Sequence, residues 1–324
     1  MDVSDSVYGF ARIEEPVLLD LINSKAVQRL RGISQYGLPK GYYHLDSFSR
    51  YEHSIGVLII LRRLNALLEE QMAGLLHDVS HTAFSHVIDQ VFGDPLKETY
   101  QDETHLEFIK NSDIPSILKR YGFDYKQICD NGRFFLLERP IPELCADRFD
   151  YSMRELVRFE SAENIKLILS NVVNYHNRIV FISEYAAKVF SEDYGKLQKE
   201  HWAGNETKAR YHILSSILKI ALGEGIVLKE DINKTDSEVI GKLEASSNIE
   251  IRKGLDLLKG GFQIVESNSE GSFLLKKKFR YVDPSILLKN GLVKLSDISL
   301  DYKRSLAIQR QESSLGKSIE IIAR

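Results

Sequence analysis

Three histidines and two aspartates lie within residues 74–89, GLLHDVSHTAFSHVID, a stretch that is otherwise mainly apolar. The adjacent pair His77 and Asp78 is the unusual element, because its apolar flanks predict burial. A buried carboxylate beside an imidazole needs a charge partner. Imidazole nitrogen and carboxylate oxygen together suit a divalent ion such as Mn, Fe, Co, Ni or Zn. The pair therefore predicts a metal site.

The spacing of the polar residues in this stretch is compatible with a helix. His77 and His81 are four residues apart and His86 and Asp89 are three apart, so each pair can share one face of a helical segment. Histidines outside any motif are better explained as hydrogen-bonded core or surface groups. We assign that role to His44, His176, His201 and His212.

Helices are predicted to form most of the first 220 residues, because apolar residues recur there at helical spacing. The predicted helical segments are 52–70, 71–78, 84–92, 102–121 and 142–160, followed by long amphipathic stretches over 161–222. The first of these segments carry the histidine-rich stretch and must hold its side chains in position.

The pattern changes after about residue 225. The predicted elements are a helix over 236–260, a hairpin of FQIVES (262–267) and FLLKKKFRYV (273–282) around the turn NSEGS (268–272), and a strand-like run over 292–302. The predicted fold class is therefore mainly α. It consists of a helical core over 1–225 and a smaller C-terminal α+β region over 226–324 that packs on this core.

Composition argues against several classes of function. A net charge of -3 with 27% charged residues is unlike a general nucleic-acid-binding protein, which usually has a strongly basic domain. A local basic pocket for a phosphorylated small molecule is compatible with this balance. The two cysteines, Cys129 and Cys145, could pair, but two scattered thiols do not resemble a disulfide framework. No apolar run reaches membrane-spanning length. Since the N-terminus also lacks the layout of a signal peptide, we predict a cytoplasmic protein.

Four motifs of the chain resemble those of the HD-domain metal-dependent phosphohydrolases. They are VQRLRGISQYG (27–37), FSRYEHSIGV (48–57), LLHDVSHTAFSH (75–86) and ADRFDY (146–151). They are most similar to the branch of deoxynucleoside triphosphate triphosphohydrolases, as is RYVDP (280–284) followed by LSDISLDY. The resemblance implies a divalent metal ion (Mn, Fe, Mg, Co, Ni or Zn) held by four ligands. These ligands match His53, His77, Asp78 and Asp147.

The resemblance also implies roles for the residues around the metal. Catalytic roles, in contacting phosphate or in moving a proton, are implied for His81, His86, Asp89 and His105. Substrate-binding roles are implied for Gln35, Arg50, Arg148 and Tyr151. An ordinary salt bridge is the alternative for both arginines, and core packing is the alternative for the tyrosine.

The chain departs from the family pattern at several positions near these residues. Ser80 replaces the usual glycine between the HD pair and the next histidine, and Ala83 replaces a proline. Leu106 replaces the glutamate that usually follows His105. Asn23 stands where regulated relatives have an aspartate that helps to bind an activating nucleotide, so that charge is absent here.

The resemblance favours hydrolysis of a deoxynucleoside triphosphate to deoxynucleoside and inorganic triphosphate, by a homo-oligomer of two or more copies. A nucleoside monophosphate, a cyclic dinucleotide or another phosphoester is an alternative substrate for the same site. A catalytically silent nucleotide-binding protein is a third hypothesis, although such proteins are expected to lose a metal ligand. A helical interaction protein is a fourth, with Lys276–Lys278 and Arg280 as a basic run. Such a run is more often a solvated strand edge.

Overall fold

Helices form most of the chain up to residue 223 in a computed structural model, which describes residues 1–267, 269, 272–275, 278–314 and 316–324. These helices are α1 (Pro16–Ile22), α2 (Lys25–Arg29), α3 (Arg50–Arg63), α4 (Leu68–Leu76), α5 (Tyr100–Lys110), α6 (Ile114–Arg120), α7 (Tyr125–Ile128), α8 (Ala146–Leu156), α9 (Ala162–Ser170), α10 (Glu184–Leu197) and α11 (Asn205–Gly223). Later helices are α12 (Asp236–Glu244), α13 (Ile249–Leu258), α14 (Leu295–Ile298) and α15 (Leu300–Ser314). The predicted mainly α fold is confirmed.

The strands form small sheets. They are β1 (Asp2–Asp5), β2 (Gly9–Arg12), β3 (Val172–Asn174), β4 (Ile179–Phe181), β5 (Phe262–Glu266), β6 (Phe273–Leu275), β7 (Ser285–Leu288), β8 (Gly291–Lys294) and β9 (Lys317–Ala323). One sheet pairs β1 with β2, another has the order β3-β4-β7-β8, and another the order β5-β9-β6. The pairing of β4 with β7 is parallel. It joins a hairpin of the helical core to a hairpin of the C-terminal region.

Helix α3 lies at the centre of the core and is buried along most of its length from Arg50 to Leu61. It packs against α4 and α8. Two glycines allow this close approach, because a Cβ at Gly74 would lie 2.3 Å from Leu61 Cδ1 and one at Gly56 would lie 2.0 Å from Asp150 Oδ1. Close packing on all sides fixes the polar side chains of α3 as firmly as the apolar ones.

Two of the predicted helices are divided or shortened. The predicted helix over 52–70 is divided into α3 and α4 where Asn65 adopts a φ of 54°. A left-handed backbone ends a helix, and asparagine tolerates it better than most residues. The segment 84–92 contains only the 3₁₀ helix Ser85–Gln90, because Phe84 before it has a φ of 65°.

The later helical predictions were also too long. The segments 102–121 and 236–260 each contain two helices, and 142–160 narrows to α8. The prediction for 161–222 is wrong in its middle, because the hairpin of β3 and β4 separates α9 from α10. Both residues at the tip of this hairpin have positive φ, which is the backbone of a tight hairpin turn.

The predicted hairpin after residue 260 is wrong. Strands β5 and β6 do not pair with each other, since β9 lies between them and pairs with both. Local sequence patterns do not reveal pairing with a strand from much later in the chain. The prediction of a strand over 292–302 holds only for β8, after which α14 begins.

Several predictions lie outside what the structure describes or stay predictions. The turn NSEGS and the basic run Lys276–Lys278 fall partly on residues 268, 270, 271, 276 and 277, which lie outside the described residues. Among the residues that are described, no helix has the length and apolar character needed to cross a membrane. The boundary at residue 225, the homo-oligomer and the cytoplasmic location stay predictions.

Candidate metal centre

The four residues that match the family's metal ligands come from three segments of the helical core. His53 lies near the start of α3, and Asp147 is the second residue of α8. His77 and Asp78 directly follow α4. Each ligand therefore lies at or near a helix end, where a rigid element fixes its backbone.

A capping box begins α3 at Arg50. Ser49 Oγ accepts a hydrogen bond from Glu52 N, and Glu52 Oε2 accepts one from Ser49 N at 2.8 Å. This reciprocal pair satisfies two donors at the helix start. Because Arg50 and His53 are three residues apart, it places both side chains on the face of α3 that looks towards Asp78.

The ligand atoms of His53, His77 and Asp147 converge on one point between these segments, all within 4.8 Å of one another, and Asp78 lies beside this group. His53 Nε2 lies 3.2 Å from His77 Nε2 and 3.0 Å from Asp147 Oδ1. His77 Nε2 lies 3.5 Å from Asp147 Oδ1 and 3.4 Å from Asp78 Oδ1. His53 Nε2 lies 3.7 Å from Asp78 Oδ2. Such separations suit ligands around a single metal with bond lengths of about 2.0–2.2 Å.

Hydrogen bonds behind the two histidines determine which nitrogen faces this point. His77 Nδ1 donates to the carbonyl of Gly74 at 2.7 Å, and His53 Nδ1 donates to Asp150 Oδ2 at 2.7 Å. A neutral imidazole that donates from Nδ1 has a lone pair at Nε2. Two lone pairs and two carboxylates thus face one another, and a cation between them makes that arrangement favourable. The residues fit a divalent metal.

The electrostatics of the histidines agree with this fit. Burial alone would lower the pKa of His77, but the charges of Asp78 and Asp147 outweigh it and raise the pKa to about 9. The pKa of His53 is also raised, because its contacts with Asp147 and Asp150 outweigh burial. A raised pKa at both histidines indicates a strongly negative site, in which a bound dication would take the place of a proton.

Sequence analysis missed Asp150, which orients His53. Asp150 is fully buried, and its Oδ2 also accepts a hydrogen bond from Arg154 Nε at 2.8 Å. Arg154 Nη2 in turn donates to Asp5 Oδ2 at 2.7 Å. Carboxylates behind metal-binding histidines fix ring orientation and raise ligand basicity. The motif ADRFDY contained the signal, because Asp150 lies three residues after Asp147 on one helix.

Arg50 contacts a candidate metal ligand directly. Its Nη1 donates to Asp78 Oδ2 at 2.6 Å and its Nε donates to Ser85 Oγ at 2.8 Å. Burial would raise the pKa of Asp78, but Arg50, His77 and His81 hold it well below its usual range. The salt-bridge alternative therefore describes part of what Arg50 does, and the residue also lines the adjoining cavity.

His81, His86 and Asp89 form a connected group beside the ligands. His81 Nε2 lies 3.3 Å from Asp78 Oδ1, and the rings of His81 and His86 meet edge to face at 5.2 Å. His86 Nδ1 donates to Asp89 Oδ2 at 3.2 Å, and Tyr100 N donates to Asp89 Oδ1 at 3.0 Å. Asp89 is thus held by the backbone and can orient His86.

His105 contacts Ser80, the residue of the HD turn that replaces the family's usual glycine. Ser80 Oγ is 2.9 Å from His105 Nδ1, and Gln101 Nε2 donates to Ser80 Oγ at 2.9 Å. Burial and the nearby His77 lower the pKa of His105 to about 4. At neutral pH this histidine therefore offers a hydrogen bond rather than a positive charge.

A cavity of about 620 Å³ adjoins the metal centre. Its lining includes the predicted substrate-binding residues Gln35, Arg50, Arg148 and Tyr151. Gln35 Oε1 is buried and has no hydrogen-bond partner among the described residues. Arg148 Nη1 donates to the carbonyl of Glu143 at 2.5 Å, and the Tyr151 ring meets Trp202 edge to face at 5.1 Å. Tyr151 therefore packs against an aromatic neighbour and also faces the cavity.

A cationic cluster on the same cavity was not predicted from the sequence. Lys208 on α11, with Lys278 and Arg280 after β6, surrounds the carboxylate of Glu98. All four residues line the cavity. Lys278 and Arg280 belong to the basic run named above, but no local pattern connects them with Lys208 or Glu98, which come from distant parts of the chain.

Arg29 holds the turn that carries the HD pair. Its Nη2 donates to the carbonyls of Val79 and His81, each at 2.7 Å. Its Nη1 donates to the carbonyl of Asn233 at 3.1 Å. The arginine thus ties the turn to the region after residue 225.

Asp236, the first residue of α12, makes a second link of this kind. Its carboxylate accepts hydrogen bonds from Ser34 N and Phe84 N, each at 2.8 Å. Ser34 precedes Gln35, and Phe84 lies two residues before His86. The C-terminal region therefore fixes two of the loops that carry candidate site residues.

Comparisons with known proteins identify the family to which this fold belongs. The family model described as HD domain matches residues 50–155, which include all four candidate ligands. The metal-dependent phosphohydrolase cns2 of Cordyceps militaris is 31% identical, with 79% of this chain and 77% of that protein covered. The chain belongs to the HD-domain metal-dependent phosphohydrolases. It is therefore a hydrolase that uses a divalent metal ion and acts on a phosphorylated small molecule.

Two further relatives differ in how much of the chain they match. The uncharacterized protein YdhJ of Bacillus subtilis is 38% identical, with 99% of both chains covered. The deoxynucleoside triphosphate triphosphohydrolase SAMHD1 of Bos taurus is 31% identical, but only 37% of this chain and 24% of that protein are covered. The similarity to that enzyme is thus partial.

Proposed function

We propose that this phosphohydrolase converts deoxynucleoside triphosphates to deoxynucleoside and inorganic triphosphate, with the metal held by His53, His77, Asp78 and Asp147. The observation that carries the proposal is a single cavity that adjoins the ligand cluster and has both an aromatic wall and a cationic cluster. Concave sites that combine apolar walls with a few charged groups are typical of small-molecule binding. A nucleotide with several phosphates has the matching chemistry.

The cationic cluster supports a substrate with more than one phosphate. A series of contacts leads to it from the metal centre: Asp78 contacts His81, and His81 contacts His86. His86 and Glu98, the carboxylate inside the cluster, both line the cavity. If one phosphate of the substrate lies at the metal, the cationic cluster is available to bind the distal phosphates.

The aromatic wall supports a nucleoside as the other part of the substrate. The rings of Tyr36 and Tyr43 lie 5.1 Å apart, and both line the cavity together with Tyr151 and Trp202. Aromatic faces suit the stacking of a base or sugar. Gln35 Oε1, buried and without a partner among the described residues, could accept a hydrogen bond from a sugar hydroxyl.

The chemistry requires positioning and one proton transfer. A divalent metal supplies a water nucleophile at neutral pH and offsets charge on the phosphoryl oxygens. Water would attack the α-phosphorus, and the bond between this phosphorus and the sugar oxygen would break. Asp89 accepts from His86 Nδ1 and so stabilises the imidazolium form of His86, which would give its Nε2 proton to that leaving oxygen. Arg50 would balance charge beside Asp78.

Product analysis by anion-exchange chromatography tests the proposal. The protein is incubated with each dNTP, NTP and dNMP in the presence of Mn, with His77→Ala and Asp78→Ala as blanks. The variant His176→Ala is the matched control, since that exposed histidine lies on the β3–β4 turn. Inorganic triphosphate and deoxynucleoside, absent from the blanks, are the expected products. Orthophosphate from monophosphates, with no triphosphate from any dNTP, would contradict the proposal and favour a nucleotidase.

A further inference from the structure

We infer that Glu98 is a resident carboxylate in an anion subsite formed by Lys208, Lys278 and Arg280, and that a terminal phosphate group displaces it. Glu98 would then act as a specificity-determining residue for the length of the phosphate chain. The inference rests on the proposed function in so far as that function requires a polyphosphate in this cavity.

The geometry of the cluster is that of an occupied anion site. Lys208 Nζ lies 3.7 Å from Glu98 Oε1, and Lys278 Nζ lies 3.6 Å from Glu98 Oε2. Arg280 Nη2 donates to the same Oε2. The side chain of Glu98 is only 5% exposed. A single carboxylate is thus the shared partner of three cations from separate segments.

The charges do not balance within this cluster. Three basic side chains meet one carboxylate. Although burial lowers the pKa of Lys208, positive charge is left over beside the cavity. Burial would raise the pKa of Glu98, but Arg280, His86, Lys208 and Lys278 outweigh it and bring the pKa to about 2. Glu98 is therefore ionised at neutral pH and offsets one charge only. A phosphate group with two negative charges would balance the cluster better than the carboxylate does.

The backbone around Glu98 is consistent with a displaceable group. Glu98 has a φ of 55°, a conformation that few residues other than glycine adopt without support from their surroundings. It ends a loop in which residues 95–97 are exposed. The described contacts that hold its carboxylate are those to the three cations. Once a phosphate takes these cations, the support for the strained conformation is removed.

Binding of inorganic triphosphate to metal-free protein tests this inference without requiring hydrolysis. Titration calorimetry compares wild type with Glu98→Gln and Arg280→Gln. Glu250→Gln is the charge-matched control, since Glu250 is exposed and pairs with Lys253 on α13. We expect about tenfold tighter binding by Glu98→Gln and about tenfold weaker binding by Arg280→Gln, because charge-assisted hydrogen bonds are gained or lost. The control should match wild type.

Binding by folded Glu98→Gln that is equal to or weaker than that of wild type would overturn the inference. If that variant does not fold, Arg280→Gln and Lys278→Gln decide instead, and unchanged binding by both would equally overturn it. The result is distinct from that of the hydrolysis assay. A protein that binds triphosphate as expected but releases only orthophosphate from monophosphates would contradict the proposed function and leave the subsite in place.

Discussion

Removing the charge behind His53 should weaken metal binding. In the variant Asp150→Asn the side chain keeps its shape and one oxygen, which can still accept from His53 Nδ1 and Arg154 Nε. The variant Asp150→Ala loses that acceptor as well. The two variants therefore separate the charge of the carboxylate from its hydrogen bonds.

The magnitude follows from the contacts. Loss of an outer partner of a metal ligand costs roughly 10–100-fold in affinity. We expect about tenfold for Asp150→Asn, in which only charge is lost, and about 100-fold for Asp150→Ala. Breaking a buried ion pair by removing one partner costs about 3–5 kcal/mol. Because Arg154 retains Asp5 at 2.7 Å, the free energy of unfolding of Asp150→Ala should fall by about 3 kcal/mol, the lower end of that range.

Titration of the metal-free variants with Mn, read by calorimetry, gives the affinities, and urea unfolding gives the stabilities. Asp193→Ala is the matched control. Asp193 is also buried, and its Oδ1 lies 2.6 Å from Lys196 Nζ. Neither residue lines the cavity. A folded Asp150→Ala protein with wild-type metal affinity would refute the reasoning, because Asp150 would then stabilise the fold without acting on the metal site.

Three further predictions concern the surroundings of the site. Gly56→Ala should lower the free energy of unfolding by about 1–3 kcal/mol in urea titrations, because the new Cβ would lie 2.0 Å from Asp150 Oδ1; wild-type stability would contradict this packing. Burial raises the pKa of Glu155 to about 7, so this residue stabilises the fold at low pH and that stability is lost as pH rises through 7. Glu155→Gln should therefore reduce the loss of unfolding free energy between pH 5 and 8 by about 2 kcal/mol, and unchanged pH dependence in denaturant titrations would argue against it. Arg29→Met should lower kcat at saturating metal, because two carbonyls of the HD turn lose their donor; kinetics equal to wild type would show that the turn holds its position unaided.

The sequence was most informative where chemistry and local structure depend on neighbouring residues. The adjacent pair His77 and Asp78 is unusual in an apolar segment, and the structure brings both residues together with His53 and Asp147. The helical character of the first 220 residues also follows from local periodicity. Asp150 could have been predicted by the same reasoning, since helical spacing places it near Asp147. Its contact with Arg154 could not be predicted before the fold was known.

Other features depend on contacts between distant segments. Strand β9 separates β5 from β6, although their sequence order and the turn between them suggested a hairpin. Lys208 and Glu98 meet Arg280 in the cavity. Arg280 lies in the motif RYVDP, but nothing in the local sequence connects it with the other two residues. Local propensity cannot predict such meetings, because they result from tertiary packing of whole elements.

The links made by Arg29 and Asp236 have a consequence for modularity. The segment that the family model matches, residues 50–155, contains the candidate metal ligands but neither Arg29 and Asp236 nor the cations that surround Glu98. A fragment cut to those bounds would lack both. We therefore expect activity to depend on the docking of the C-terminal region, so that an incompletely folded chain would be inactive even if it had captured its metal.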